Sequence, residues 1–440
     1  MIARVILGLI GAGIVVFTFF AGDMDLIGLE AGSMGLFVVG AFGVLLVLLA
    51  VAGKRLPGHR IARGYQQLAV ILLNTLLFIV VLEMLVILSF NLQFVTRDVQ
   101  RLTVGEGLEV YQDEDWFRTY QREYDEGVDA VIKYSPFELW ARDALTGETI
   151  NIQEDGSRAT PGAVCTDDAY RVFVYGGSTL WGMGAPDWGT IPAYLQAAID
   201  EASVDGPVCV VNYGELAYVS MQEFIRLIRS LQQDDVPDLV IFYNGINDVV
   251  AGWSTGRSDG HRLMGIFNDA MRDPFAGRSP LVDWLARTYT FQLLQALLPA
   301  PDDDTDATGQ TRAELAAEIA RQYLNTYQMV DALAEVYGFD YVLLLQPVMA
   351  LGDKPLVGDE VGMLQVIDQP LRNFYAEVYD TIVQQGADYP RLYDIRDVFD
   401  DVDQPVYIDY QHLAPPGNQI VAGRIFEIIQ PLLANGAASR

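Results

Sequence analysis

Val172-Phe-Val-Tyr-Gly-Gly-Ser-Thr179 reads as a buried strand that ends at two glycines and hands over to a pair of hydroxyl side chains. The run from Val172 to Tyr175 has no polar member, so a strand built from it is covered on both faces, as strands of parallel sheets are. Outward from this stretch the pattern recurs. Apolar strands at Val208 to Val211, Leu239 to Tyr243 and Tyr341 to Leu345 alternate with helical segments around Ile191 to Ala202, Met221 to Gln232 and Leu315 to Tyr337, and a last helix runs from about Gly417 to Leu433. Strands alternating with helices predict an α/β fold with an open, doubly wound parallel sheet, whose ligands bind at the carboxyl ends of the strands.

Those strand ends carry the chemistry. The first ends in Tyr175-Gly-Gly-Ser178, the second in Asn212-Tyr-Gly214, the third in Asn244-Gly-Ile-Asn247-Asp248, and Asp409-Tyr-Gln-His412 precedes the last helix. A serine hydroxyl at its ordinary pKa is a weak nucleophile and needs a base beside it. Beyond residue 92 the histidines are His261 and His412. His412 follows Asp409 by three residues, a spacing that lets the carboxylate fix the imidazole tautomer and stabilise the imidazolium. His261 has no such partner and is read as solvent-exposed. A developing oxyanion needs donors, each worth about 2.7 to 4 kcal/mol. The backbone N–H of Ser178, the backbone N–H of Gly214 and the side-chain amide of Asn247 are the candidates. Each motif alone is a common turn or strand exit; their order along the chain, each at a strand end, makes the case.

With these residues in this order, the sequence resembles the SGNH, or GDSL-type, hydrolase family, whose four blocks supply Ser, Gly, Asn and His. Ser178 matches the nucleophile, Gly214 and Asn247 the oxyanion residues, and Asp409 with His412 the last block. The resemblance spans about residues 168 to 435. It implies a flavodoxin-like three-layer α/β/α fold and acyl-ester hydrolysis or transfer without metal or organic cofactor. Gly177 stands where the family's name motif has Asp, and Ala217 where a further Gly is often found.

The N-terminal part is of another kind. Ala3 to Ala21, Ser33 to Ala52 and Leu68 to Phe90 are apolar runs near the ~20 residues that cross a bilayer, so three transmembrane helices are expected. The loop between the second and third contains Lys54, Arg55, Arg60 and Arg63, whereas the first loop has acidic residues and no Lys or Arg. The basic loop is therefore cytoplasmic, and everything after residue 92 lies on the extracytoplasmic side. Reading the first run as a signal peptide leaves that side unchanged. Glu83 and Asn74 sit within the third run, Glu83 near its outer end, where it snorkels or pairs across helices.

The domain expectation is a membrane region at 1–92, a juxtamembrane accessory segment at 93–164, and a catalytic domain at 165–440 with an insertion at 249–310. In the accessory segment Trp116, Tyr120 and Tyr124 at i, i+4 spacing suggest a short helix packed on the enzyme or the bilayer surface. Asp302, Asp303, Asp304 and Asp306 in the insertion resemble the start of a calcium loop, but Ala307 and Ala313 occupy its Gly and closing Glu positions. They read better as a solvated linker into a capping box at Thr311 to Glu314.

The chain has 28 basic and 58 acidic residues, a net charge of −30. Phosphate contacts need a basic face, so nucleic acid is an unsuitable partner. The two cysteines, Cys165 and Cys209, stand at the start of consecutive strands; a disulfide in an oxidising compartment and two buried thiols are both open.

The expected function is that of a membrane-anchored, extracytoplasmic serine esterase. Its substrates would be short acyl esters, acetyl above all, of a cell-envelope glycan. The rivals are an O-acyltransferase of surface polysaccharide with the same triad, a lipid esterase with an apolar lid in the insertion, and a catalytically silent envelope scaffold.

Overall fold

The computed structural model describes residues 2–21, 108–204, 206–261, 263–265 and 310–437, with isolated positions between 43 and 83 and at 267. The chain divides into two compact units, Met1–Arg101 with Ile266–Asp302, and Leu102–Gly265 with Asp303–Arg440.

In the first unit, helix α1 (Ile2–Ala21) packs Leu7 against Leu46 and Ala50. Glycine makes the approach possible, since a Cβ on Gly11 would stand 2.6 Å from the carbonyl oxygen of Gly43. Leu9, Leu48, Val51, Ile71, Phe78 and Val81 face outward and are exposed. Asn74 is exposed, and Glu83 is half-buried and engaged with a partner. The described side chains of α1 lie between Val5 and Val15, and among the described residues no helix is long and apolar enough to cross a membrane. Most of the second and third expected spans, and the acidic run from Asp302 to Asp306, lie outside the described residues.

The second unit begins with helix α2 (Phe117–Glu123) and an antiparallel hairpin, β1 (Ile132–Ser135) and β2 (Leu139–Arg142). The core alternates β3 (Tyr170–Gly176), α3 (Ser178–Trp181), α4 (Ile191–Glu201), β4 (Val208–Asn212), α5 (Ser220–Gln232), β5 (Leu239–Asn244) and α6 (Ile246–Thr255). It continues with α7 (Arg312–Tyr337), β6 (Asp340–Leu345), α8 (Gln369–Gln385), β7 (Leu392–Asp394) and α9 (Pro415–Ala437). The strands pair in the order β4-β3-β5-β6-β7, all parallel. Counted from β3 this is 2-1-3-4-5, the flavodoxin-like order, with its switch point between β3 and β5.

Period-two alternation divides the strand residues between two cores. Phe173, Tyr175, Val240, Phe242, Leu343 and Leu345 face α5, α7 and α8, while Val172, Val174, Ile241 and Leu344 face α4 and α9. The result is the expected three-layer α/β/α sandwich. The four expected strands are present. The sequence reading did not place β7 and α8; β7 has three residues at the sheet edge, too few to show a period.

The segment before β3 is built into this unit. Arg158 donates its N–H to the carbonyl of Asn212 at the end of β4. Its guanidinium, 1% exposed, pairs with Asp187 at 2.9 Å, donates to the carbonyls of Trp181, Gly182 and Ala185, and stacks 4.2 Å from the Trp181 ring. Tyr120 of α2 is buried with Trp181 and Ile408, so the expected aromatic stripe packs on the core of the α/β unit. Cys165 and Cys209 form a disulfide that ties the entry of the sheet to β4.

Candidate active site

The site is assembled at the switch point, where β3 and β5 end beside each other. Gly176 and Gly177 are required by space. A Cβ on Gly176 would lie 2.4 Å from the Tyr243 carbonyl oxygen, and one on Gly177 would lie 2.3 Å from Nδ2 of Asn247. The chain then turns into α3, with Ser178 as its first residue.

Ser178 Oγ is 2.7 Å from Nε2 of His412, and His412 Nδ1 is 2.6 Å from Oδ2 of Asp409. The other carboxylate oxygen of Asp409 accepts the backbone N–H groups of Gln411 at 2.8 Å and His412 at 2.7 Å. Both oxygens are thus held, and the carboxylate fixes the imidazole from within its own loop. Burial works to raise the pKa of Asp409, but the charge of His412 and these hydrogen bonds outweigh it, leaving the carboxyl below its ordinary range. An ionised Asp409 accepting from Nδ1–H leaves Nε2 to accept from the Ser178 hydroxyl. Ser178 and His412 are 8% and 5% exposed, so their contact is shielded from water, while the Asp409 side chain is 38% exposed. Gln411 brings its amide nitrogen to 3.3 Å from the same Nε2.

Among the expected oxyanion donors the structure separates Gly214 from the others. The Gly214 N–H donates to Oδ1 of Asn212 at 3.0 Å. A Cβ on Gly214 would stand 2.6 Å from the backbone nitrogen of Trp181, so this glycine serves close packing of the β4 exit against α3. The assignment of Gly214 as donor is therefore corrected. Three residues on, Ala217 adopts φ +63°, and among the described residues its N–H meets no acceptor. A left-handed backbone favours glycine, which accounts for the Gly often found at the matching position of the family the sequence resembles. Asn247 donates one amide hydrogen to the Tyr218 carbonyl at 2.8 Å, which leaves the other on the Gly177 side. The Ser178 N–H stands at the first position of α3, with no earlier carbonyl of that helix to receive it.

Asn244, in the same turn as Asn247, has a different role. Its amide donates to buried Glu223, and its oxygen accepts from Tyr323 at 2.7 Å. His261 also departs from expectation. It is half-buried against the Trp140 ring at 5.7 Å, its Nδ1 accepts the Leu263 N–H, and burial lowers its pKa.

No protein-family model and no curated protein matches the chain. Among solved structures, an acetyl xylan esterase, AlAXEase, matches at 14% identity and TM-score 0.33 over 59% of this chain and 99% of its own. A lipolytic protein of the G-D-S-L family from Veillonella parvula matches at 14% identity and TM-score 0.34 over 59% and 98%. A catalytic mutant of an acetylxylan esterase from Geobacillus stearothermophilus matches at 15% identity and TM-score 0.33 over 61% and 96%. Similarity at this level carries no functional weight, and the case for function rests on the site itself.

Proposed function

We propose that this chain is a membrane-anchored serine esterase that removes short acyl groups, acetyl above all, from esters of an extracytoplasmic glycan. The observation that carries the reading is the Ser178–His412–Asp409 relay at 2.7 and 2.6 Å. Ser178 Oγ attacks the ester carbonyl carbon as its proton passes to His412 Nε2. The resulting oxyanion faces the N–H groups of Ser178 and Ala217 and the free amide hydrogen of Asn247. His412 returns its proton to the departing alkoxide, leaving an acyl-Ser178 ester. Water, deprotonated by the same nitrogen, attacks that ester and releases the carboxylic acid and free Ser178. Asp409 stays ionised throughout, orienting the ring and stabilising the imidazolium.

The anchoring part of the reading is supported by the apolar runs and basic loop of residues 1–92 and by the outward-facing Leu9, Leu48, Val51 and Phe78. Apolar side chains turned outward suit a lipid surround. The disulfide fits an oxidising compartment. A glycan substrate follows from the location proposed for the site.

The test is hydrolysis of an aryl acetate by the purified full chain and by Ser178→Ala. Turnover by the wild-type chain that falls to the uncatalysed background in the variant is expected. Equal turnover by both would remove Ser178 from the mechanism.

A further inference from the structure

The oxyanion wall is assembled from two separate elements, joined by the adjacent side chains of Asn247 and Asp248. Ala217 lies in the loop from β4 to α5, while Asn247 lies in the first turn of α6, so neither donor fixes the other through the chain. Upstream of Ala217 the loop is anchored to the nucleophile's strand, where Glu215 donates its N–H to the Gly176 carbonyl at 3.0 Å. Downstream, the N-cap of α5 is Val219, which has no side-chain oxygen to cap the helix. Gln222 reaches back to the Val219 N–H at 3.2 Å. The next group, Ser220, is held from outside the helix: its hydroxyl donates to Asp248 Oδ1 at 2.6 Å, and its N–H lies 3.3 and 3.2 Å from the two carboxylate oxygens. Asp248 is the residue after Asn247.

From this geometry we infer that Asp248 is a positioning residue of the oxyanion hole, clamping the Ala217 loop to α6 through Ser220 so that the Ala217 N–H and the Asn247 amide converge on one point. The inference rests on the esterase reading above. A carboxylate is suited to the task because it accepts both donors of Ser220 at once and lies at the positive end of α5. The Tyr218 carbonyl, held by the Asn247 amide, is a second tie on the same downstream side of Ala217. With Glu215 held upstream and Tyr218 and Ser220 held downstream, Ala217 lies between fixed neighbours, its N–H free for a ligand.

The experiment compares the full chain with Asp248→Ala, Asp248→Asn and Ser220→Ala in aryl acetate kinetics and in inhibition by a small alkylboronic acid, which forms a tetrahedral adduct on the serine. Loosening a preorganised donor acts on the transition state and hardly on the ground state. For Asp248→Ala the expectation is a fall in kcat of about 10²-fold, KM within about 3-fold, and a boronate inhibition constant that rises by a factor similar to the loss of kcat. Asp248→Asn keeps one acceptor and should recover part of the loss. Ser220→Ala, a milder change that keeps the α5 backbone, should lie between it and the wild type. A Ser220→Ala chain that melts like the wild type with unchanged kcat and boronate affinity would overturn the inference. So would variants in which kcat falls while boronate affinity stays, since the defect would then lie outside the oxyanion hole. A wild-type chain that neither turns over aryl acetate nor binds the boronate would overturn the esterase reading itself, and with it this one.

Discussion

At the scale of single residues, the site depends on which positions lack a side chain as much as on which carry one. Gly177 has extended backbone, φ −83° and ψ −157°, which any residue adopts, so its requirement for glycine is spatial. The space a Cβ would fill is where the Asn247 amide sits, 2.3 Å away. Gly177→Ala should therefore displace Asn247 and lower kcat by about 10²-fold while the fold is retained, since a shift near 1 Å at a catalytic group has that effect. Kinetics beside a thermal melt check this; an alanine variant with wild-type kcat would show that Asn247 is not a donor. The grouping of Ser178, His412 and Asp409 was legible in the sequence because its parts are chemically rare there: His412 is one of two histidines beyond residue 92, and Asp409 precedes it by three residues. The unengaged Ala217 N–H in the loop after β4 was not legible. Gly214 and Ala217 both follow β4 closely, and only the fold shows that Asn212 takes the Gly214 N–H.

At the scale of elements, the exits of β3, β4 and β5 are distinct solutions to ending a strand at a functional edge. β3 ends in a glycine pair and a four-residue helix, and β5 in Gly245 at φ +113° before α6. β4 ends in a loop that bends at Ala217, where an L-residue in the left-handed region costs about 1 kcal/mol or more. Ala217→Gly should raise stability by up to about 1 kcal/mol in urea unfolding and keep turnover. Ala217→Val, with a β-branched side chain at the same φ, should lose both; if the valine variant is as active as the wild type, the loop does not need this conformation. The long strands and helices were legible because apolar periodicity over many residues marks them, and the capping box at Thr311 appears as expected, with Thr311 N–H donating to Glu314 at 2.9 Å. β7 escaped because three edge residues, none fully buried, carry no period. The part played by Arg158 escaped for a different reason: nothing near it in sequence marks Asp187 and the Trp181, Gly182 and Ala185 carbonyls as its partners, although it braces the turn that follows Ser178.

At the scale of the whole molecule, two compositions share one chain. Residues 1–92 contain five of the 28 basic and four of the 58 acidic residues, so nearly all of the net charge of −30 belongs to the rest. A charge of that size keeps a domain soluble and repels polyanions. The apolar runs before it account for the outward-facing side chains of the first unit. The full chain should sediment with membranes, stay there through alkaline carbonate, and be released by detergent; release by carbonate alone would contradict anchoring through residues 1–92. Hydropathy suggests these runs from sequence, but which face of each helix meets its neighbours depends on small-residue contacts such as Gly11 against Gly43, which composition does not show.

The central claim is that Ser178 carries the acyl group between the two halves of the reaction. The most direct measurement is the mass of the full chain quenched in acid within milliseconds of mixing with an aryl acetate, followed by peptide mapping. One added acetyl group is expected on the peptide containing Ser178, absent from Ser178→Ala. Steady hydrolysis with no adduct, or an adduct on another residue, would contradict it.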